Sequence, residues 1–118
     1  MKKDLNSLQK QVTEFRDERN WEQYHNPKDL AISLSLEAAE LLGIFQWKSL
    51  PLVESLLQDA QFKSQISHEL ADILIYLLLL SERLDIDLYE ACAEKIAINR
   101  EKYPVEKAYG KSTKYDEL

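Results

Sequence analysis

The sequence predicts an all-α fold with a four-helix-bundle core. Two glycines and three prolines in 118 residues are too few for a turn-rich β protein. Apolar residues recur at spacings of three and four in four long segments, which is the period of amphipathic helices. A chain of this length holds one hydrophobic core. We therefore expect a single helical domain over residues 1–104 and a C-terminal tail over residues 105–118.

The first two helices follow from apolar stripes. Residues 3–21 carry the first stripe and residues 28–45 carry the second. The stripes consist of Leu5, Leu8, Val12 and Phe15, and of Leu30, Leu34, Leu41 and Phe45. Between them, Asn26 is suited to cap the second helix and Pro27 to occupy its first turn. This pair predicts a sharp start for the second helix.

The rest of the chain predicts one short helix and two long ones. Residues 46–51 break the apolar pattern, and a short helix is expected over residues 52–58. The third long helix is expected over residues 62–84. Asp87 is a suitable N-cap for the fourth, which has to end before Pro104.

The third long helix is apolar around nearly its whole circumference. The residues concerned are Ile73, Leu74, Ile75, Leu77, Leu78, Leu79 and Leu80. A helix with this pattern must be buried on all sides. A bundle of four helices is thin, so we expect part of this surface to contact another copy of the chain. A central position within a monomer is the alternative.

Composition and charge exclude several classes of protein. The formal net charge is −6, whereas nucleic-acid polymers are bound through a basic face. Cys92 is the sole cysteine, which excludes internal disulfides and multi-thiolate metal sites. The longest apolar run, residues 73–80, is shorter than the roughly 20 residues of a membrane helix. No apolar segment follows Lys2 and Lys3, as it would in a signal peptide. We expect a cytoplasmic protein that binds neither membranes nor nucleic-acid polymers.

Two pairs of carboxylates, each spaced by three residues, lie on the second and third long helices. They are Glu37 with Glu40, and Glu69 with Asp72. On a helical wheel these side chains border apolar stripes. An acidic group next to a core is costly unless it is paired or binds a cation. If the two pairs face each other, their oxygen ligands suit Mg²⁺, with Mn²⁺ as a substitute. The alternative is that Glu-x-x-Glu is simply a good helix-forming pattern.

Other catalytic patterns have less support. His68 precedes Glu69 as in a zinc-protease motif, but Asp72 stands where that motif needs a second histidine. Neither acidic pair has the Glu-x-x-His pattern of di-iron bundles. The two glycines, Gly43 and Gly110, do not form a P-loop. The sequence therefore favours a hard divalent cation over zinc or iron, and any bound nucleotide is not held by a P-loop.

The fourth long helix and two helix ends carry further candidate ligands. The polar residues on the apolar side of that helix are Lys95, Asn99 and Lys102. They could donate to phosphate oxygens, although lysines near a helix C-terminus are also favoured without a ligand. Tyr103 ends the helix and could place its phenol near the same site. Trp21 and Trp47 stand at helix-to-loop junctions, where they could stack on a planar ring or close the end of the core.

The spacing of the four carboxylates is similar to that of a known family. Glu37-x-x-Glu40, followed after 28 residues by Glu69-x-x-Asp72, resembles the metal motif of the MazG-like all-α nucleoside triphosphate pyrophosphohydrolases. Five blocks, in order, resemble the dCTP pyrophosphatase branch of that family. The blocks are residues 18–25, 45–48, 69–77, 98–104 and 114–115. The resemblance covers residues 8–118, nearly the whole chain.

This resemblance implies a fold, a reaction and a set of site residues. It implies a four-helix core in a dimer or a dimer of dimers, and Mg²⁺-dependent cleavage between the α and β phosphates to give a monophosphate and pyrophosphate. By position, the catalytic and metal ligands would be Glu37, Glu40, Glu69 and Asp72. The base and sugar pocket would be lined by Trp21, Trp47 and Tyr76. The phosphate contacts would come from Lys95 and Asn99, with further contributions from Lys102 and Tyr103.

The resemblance points to dCTP or a modified dCTP as the substrate, which would make the protein a nucleotide-pool enzyme. Two alternatives stay open. One is the same chemistry on dUTP or another damaged nucleotide. The other is a non-catalytic helical module that forms oligomers and binds partners.

Overall fold

A computed structural model describes residues 2–118, and this part of the chain contains helices and no strand. The all-α prediction is confirmed. The α-helices are α1 (Leu5–Glu18), α2 (Pro27–Phe45), α3 (Leu50–Leu56), α4 (Ala60–Leu84), α5 (Leu88–Lys102) and α6 (Val105–Ala108). Two short 3₁₀ segments add Glu22–Tyr24 and Tyr115–Glu117.

Helix α1 is shorter at both ends than its apolar pattern predicts. Its start is set by Asp4, whose side chain accepts a hydrogen bond from Ser7 N at 2.8 Å in a capping box. At the other end, Asn20 has a left-handed backbone with φ of 55°. The chain therefore leaves the helix before Trp21, which the apolar pattern includes.

Helices α3 and α4 each begin two residues earlier than expected, because polar side chains cap them. Ser49 caps α3 by accepting from Leu52 N at 3.3 Å, and Asp59 caps α4 by accepting from Gln61 N at 2.8 Å. Asn26 caps α2 as predicted, with Asp29 N at 2.9 Å from its side-chain oxygen. The caps thus decide the helix starts more sharply than apolar spacing does.

The chain divides into two compact units, one up to Asp85 and one from Ile86 to Leu118. In the first unit, α4 packs along α2 and, less extensively, against α1. The core residues are Val12, Leu30, Ile44, Leu78 and Leu79. A polar bridge supports the α1–α4 contact, since Gln9 Nε2 donates to Leu78 O and to Ser81 Oγ, each at 3.0 Å. This packing brings the middle of α2 beside the middle of α4.

The buried face of α1 differs from the predicted stripe. Val12 is buried, but Phe15 is 50% exposed and Leu5 is 38% exposed. The residue that continues the buried face, four positions after Val12, is Arg16, at 4% exposure. A charged side chain thus occupies a position that helical spacing assigns to the core.

The apolar circumference of α4 is only partly covered by the described chain. Leu78 and Leu79 are buried, whereas the other five residues of the run are half-buried. Leu70, one turn earlier, is 53% exposed. Self-association stays a prediction, and this uncovered apolar surface is consistent with it.

The second unit contains α5, α6 and the C-terminal segment. The segment folds back on the end of α5, where the rings of Tyr103 and Tyr115 meet edge to face with centroids 6.1 Å apart. Lys102 Nζ lies 4.7 Å from the centroid of the Tyr115 ring. Gly110 takes φ of 74°, which an L side chain rarely adopts. The predicted division into residues 1–104 and a tail stays a prediction.

Between residues 2 and 118, no single helix is long and apolar enough to cross a bilayer. The pair α2 and α3, bent by 99°, meets the length and composition criteria only when the two are taken together.

Candidate active site

Three of the four predicted carboxylates meet between α2 and α4. Glu37 and Glu40 lie one helical turn apart on α2, and Glu69 projects from the facing side of α4. One carboxylate oxygen from each of the three lies within 4.8 Å of the others. The fourth residue, Asp72, lies one turn after Glu69. It is outside this trio, but near enough for its charge to act on Glu37.

The carboxylate cluster is electrostatically unfavourable in the protein alone. Burial, together with hydrogen bonding and charge from Glu40, Glu69 and Asp72, raises the pKa of Glu37 from its usual 4.5 to about 7. Within residues 2–118, the Oε2 atoms of Glu37 and Glu69 are buried and accept no hydrogen bond. A buried acceptor without a donor is costly.

These donors fit a hard divalent cation. The trio offers only oxygen ligands, at a spacing that one ion can bridge, and Glu37 and Glu69 each have one buried oxygen without a hydrogen-bond partner. Mg²⁺ uses few protein carboxylates and keeps several waters. The geometry therefore suits the ion class predicted from the sequence, while the identity of the metal stays a prediction.

An aromatic cavity of about 310 Å³ lies on one side of the carboxylates. Its lining consists of Val12, Phe15, Arg16, Trp21, His25, Glu37, Asp72, Ile75, Tyr76 and Leu79. Two predicted pocket residues, Trp21 and Tyr76, thus share a cavity with two predicted metal ligands. Apolar and aromatic walls with a few polar groups are typical of small-molecule sites, and the volume is at the lower end of their range.

Local backbone hydrogen bonds place Trp21 at this cavity. Trp21 N donates to Arg16 O at 3.1 Å, and Asn20 N donates to Asp17 O at 3.0 Å. With Asn20 in the left-handed region, these two bonds form a Schellman motif that turns the chain back over the end of α1. The Trp21 ring then meets Phe15 edge to face, with centroids 5.8 Å apart.

His25 adds a polar group to the same cavity. Its Nδ1 atom is buried and has no hydrogen-bond partner in the described part of the chain. Burial, and then the nearby charges of Arg16 and Arg83, lower the pKa of His25. The lowered pKa favours the neutral imidazole, which leaves a buried ring nitrogen without a partner beside the cavity.

A second, more open cavity lies on the other side of the carboxylates. We call it the solvent-side cavity, and it is lined by Glu40, Gly43, Ile44, Lys48, Leu56, Phe62, Gln65 and Glu69. Lys48 Nζ donates to Ile44 O at 2.6 Å, which keeps this cation at the end of α2. The cluster is thus open on two sides, with Glu37 and Asp72 facing the aromatic cavity and Glu40 and Glu69 facing the solvent side.

Trp47 has an unusual backbone and a solvent-exposed ring. Its φ is 67°, a left-handed conformation that costs a non-glycine residue about 1–2 kcal/mol. Its side chain is not buried in compensation, since the residue is 93% exposed. A strained backbone that presents an aromatic ring to solvent is typical of a functional position. The predicted stacking role of Trp47 is consistent with this geometry and stays a prediction.

The predicted phosphate ligands lie in the second unit. On α5, Lys95, Asn99 and Lys102 are exposed, and Tyr103 follows directly after its end. The Tyr115 ring, in the C-terminal segment, contacts the ring of Tyr103 and lies under the ammonium group of Lys102. Contact of these residues with phosphates stays a prediction.

Sequence reasoning missed several residues that line the two cavities: Phe15, Arg16, His25 and Lys48. The apolar pattern assigns Phe15 to the core of the bundle, and it lines the cavity instead. Arg16 carries a usable signal, because it lies four residues after Val12 on an apolar stripe where an arginine is unexpected. His25 and Lys48 gave no such signal, since their orientation depends on turns between helices.

Comparison with known proteins identifies the family. The sequence model of the MazG-like family matches residues 32–118, almost three quarters of the chain. The chain belongs to the MazG-like family. This confirms the resemblance drawn from the spacing of the carboxylates.

Proteins similar to this chain include dCTP pyrophosphatase 1 from mouse, 37% identical over 97% of this chain and 67% of that protein. The human dCTP pyrophosphatase 1 is 38% identical over the same shares. A solved pyrophosphatase structure from Archaeoglobus fulgidus superposes with a TM-score of 0.77 at 44% identity, covering 84% of this chain and 91% of the other. These relatives confirm the predicted enzyme class, nucleoside triphosphate diphosphatase, and leave the non-catalytic alternative without support.

Proposed function

We propose that this MazG-like protein is a Mg²⁺-dependent pyrophosphohydrolase that cleaves dCTP, or a modified dCTP, between the α and β phosphates. The products would be the nucleoside monophosphate and pyrophosphate. The observation that carries the proposal is the carboxylate cluster at the wall of the aromatic cavity, because oxygen donors suited to a metal ion lie next to a cavity with aromatic walls. The names of the mouse and human relatives support the choice of dCTP.

The base would enter the aromatic cavity. Trp21 and Tyr76 supply ring surfaces there, and the His25 imidazole, which lines the same cavity, would be the polar group beside the edge of the base. A pocket that hydrogen-bonds a base edge rejects analogues that lack the matching group, because its own polar atoms are then left unpaired. Trp47 would stack on the nucleotide from the exposed side.

The carboxylates would hold the metal and position the reacting water. Glu37, Glu40, Glu69 and Asp72 are the ligands we assign to Mg²⁺, with Mn²⁺ as a substitute. A bound divalent cation would supply positive charge beside the triphosphate oxygens. Glu40 and Glu69 are our candidates for orienting the attacking water, because both line the solvent-side cavity. Water would attack the α-phosphorus in line, without a covalent enzyme intermediate.

Pyrophosphate would leave toward cationic groups. Lys95 and Asn99 are the residues we assign to the phosphates, with further contributions from Lys102, the last residue of α5, and from Tyr103, which follows it. We further propose a homodimer or homotetramer in the cytoplasm. The half-buried apolar run of α4 and the 52% exposure of Ile96 on α5 support self-association. Sedimentation at low micromolar concentration tests this, and a monomer alone would contradict it.

A pyrophosphate-release assay tests the proposed function. The protein is incubated with Mg²⁺ and, separately, with each of the four dNTPs, dUTP and 5-methyl-dCTP, and pyrophosphate and orthophosphate are measured. We expect pyrophosphate, with the highest kcat/KM for dCTP or its methylated form. Preference for dUTP would replace the proposed substrate with our alternative. Release of orthophosphate instead of pyrophosphate, or no release from any nucleotide, would reject the reaction.

A further inference from the structure

A cluster of charges around the buried Arg16 side chain joins the Trp21 segment to α1 and α4. We call it the arginine network, and its members are Arg16, Asp17, Glu22, Glu82 and Arg83. Arg16 Nε lies 2.9 Å from Asp17 Oδ1, and Arg16 Nη1 lies 2.7 Å from Glu82 Oε2. Glu22 bridges both arginines, with Oε1 at 2.6 Å from Arg83 Nη1 and Oε2 at 3.8 Å from Arg16 Nη2.

Arg16 is the centre of this network and is both buried and charged. Its side chain is 5% exposed. Burial acts to lower the pKa of Arg16, but the hydrogen bonds and charges of Asp17 and Glu82 outweigh it, and the net pKa is raised. A buried guanidinium that loses one of its carboxylates leaves an uncompensated charge, so it holds its partners firmly.

The network and the aromatic wall share the same short segment. Arg16 O accepts the backbone bond from Trp21 N, and Glu22 is the next residue along the chain. Glu22 O in turn accepts from His25 N at 3.0 Å. Trp21 and His25, which both line the aromatic cavity, thus flank a residue that is bonded to α4 through Arg83. Arg16 itself also lines that cavity.

We propose that the arginine network is the positioning device of the nucleotide-base pocket, holding residues 21–25 against α1 and α4 so that Trp21 is preorganised for the base. The inference rests on the proposed function for its ligand. Arg16 and Glu22 are positioning residues in this account, since they act through Trp21 and His25. The segment holds only one turn of 3₁₀ helix, so without these bonds few contacts would order it.

A purely structural role in folding is the competing hypothesis. Buried ion pairs are weak contributors to net stability, because the desolvation of the charges offsets their attraction. If the network is merely structural, disrupting it would change the melting temperature and leave KM and kcat unaffected. Disrupting a positioning network would raise KM with little change in kcat, because part of the binding free energy would then be used to order the pocket.

Two carboxamide variants and one matched control separate these roles. Glu22→Gln removes the charge that bridges the two arginines, and Glu82→Gln removes the shorter partner of Arg16. Glu18→Gln is the control, since Glu18 is 70% exposed and pairs with Arg19, outside the network, at 3.6 Å. We expect each network variant to raise KM for dCTP about tenfold, with kcat within about twofold of the parent. The control should match the parent in both constants.

A fluorescence measurement gives an answer that does not depend on turnover. In a Trp47→Phe background, Trp21 is the sole tryptophan. Adding Glu22→Gln should shift its emission to longer wavelength and increase its quenching by acrylamide, because the ring is released from Phe15. Adding Glu18→Gln should change neither. Glu22 is half-exposed, so this variant should fold even if Glu82→Gln does not.

The outcomes distinguish the two proposals. If the parent releases pyrophosphate but Glu22→Gln keeps both its KM and its Trp21 emission, the positioning role is wrong and the proposed function stands. A fall in kcat at constant KM, or an equal effect of Glu18→Gln, would also overturn it. If the parent hydrolyses no nucleotide, the proposed function fails. In that case an unchanged Trp21 emission rejects the network's role and an altered one supports it.

Discussion

Replacing Glu37 with glutamine should stabilise the metal-free protein at alkaline pH. The pKa of Glu37 is raised from 4.5 to about 7, so the folded state holds a proton that the unfolded chain releases. Stability from this group is therefore present at low pH and is lost as pH rises through about 7. Glutamine has nearly the same shape and no charge to lose, so it removes this pH-dependent destabilisation.

The structure sets the size of the effect. One pKa unit corresponds to about 1.4 kcal/mol, which gives an upper bound of about 3 kcal/mol at pH 8. Glu37 is half-buried, so solvent screening reduces this to about 1–2 kcal/mol. For a chain of this size, that gain corresponds to a rise in Tm of about 4–8 °C. At pH 5 the Glu37 carboxyl is protonated in the folded parent, and most of the difference should vanish.

Thermal unfolding, followed by circular dichroism in chelator-treated buffer, measures this. Parent and Glu37→Gln are compared at pH 5 and pH 8. At each pH, Tm is measured without Mg²⁺ and then at Mg²⁺ concentrations raised in 5-fold steps up to the millimolar range. The parent should gain Tm with Mg²⁺ and the variant should not. Glu14→Gln is the control, because Glu14 is exposed on α1 and the substitution removes the same charge at a residue outside the cluster.

The reasoning would be refuted by either of two results. One is a Tm for Glu37→Gln at pH 8 that is equal to or below that of the parent. The other is a gain of the same size at pH 5 and pH 8, because a pH-independent gain cannot come from the Glu37 carboxyl.

Three further predictions concern the cluster and the pocket. Glu40→Gln and Asp72→Asn should each lower kcat by about a hundredfold or more while circular dichroism shows an unchanged fold, and normal turnover in both would reject the ligand assignment. Trp47→Gly should keep or raise Tm, because glycine tolerates the left-handed backbone. The same substitution should raise KM for dCTP. An unchanged KM across a nucleotide panel would contradict the stacking role of Trp47. Lys95→Gln should weaken pyrophosphate as a product inhibitor, and an unchanged inhibition constant would contradict its phosphate role.

Local sequence was sufficient for the helices and for the metal-binding pattern. Apolar spacing located all four long helices, because that spacing reports which face of each helix is covered. The carboxylates at 37, 40, 69 and 72 were found because acidic residues that border an apolar stripe are costly unless they are paired or bind a cation. The predicted positions of the helix ends were less accurate, because side-chain caps and a left-handed turn set them. The residues concerned are Ser49, Asp59 and Asn20.

The pocket beside the carboxylates could not be derived in the same way. Phe15 looked like a core residue from its spacing, yet it forms a cavity wall because α1 meets α4 through Val12 and the buried Arg16. Nothing in the sequence indicates that Arg16 reaches Glu82, which is 66 residues away along the chain. The buried, unpartnered nitrogen of His25 likewise depends on a turn that only the packed helices define.

Residue type and spacing were thus enough to specify the helices, the acidic residues at 37, 40, 69 and 72 and the membership of the MazG-like family, because each of these is a property of one helix or one pair of turns. The meeting of the Glu37, Glu40 and Glu69 oxygens within 4.8 Å, the raised pKa of Glu37 and the arginine network required α1, α2 and α4 to be packed together. The physical reason is that charge interactions and burial depend on distances between residues far apart in the chain, which local periodicity does not encode.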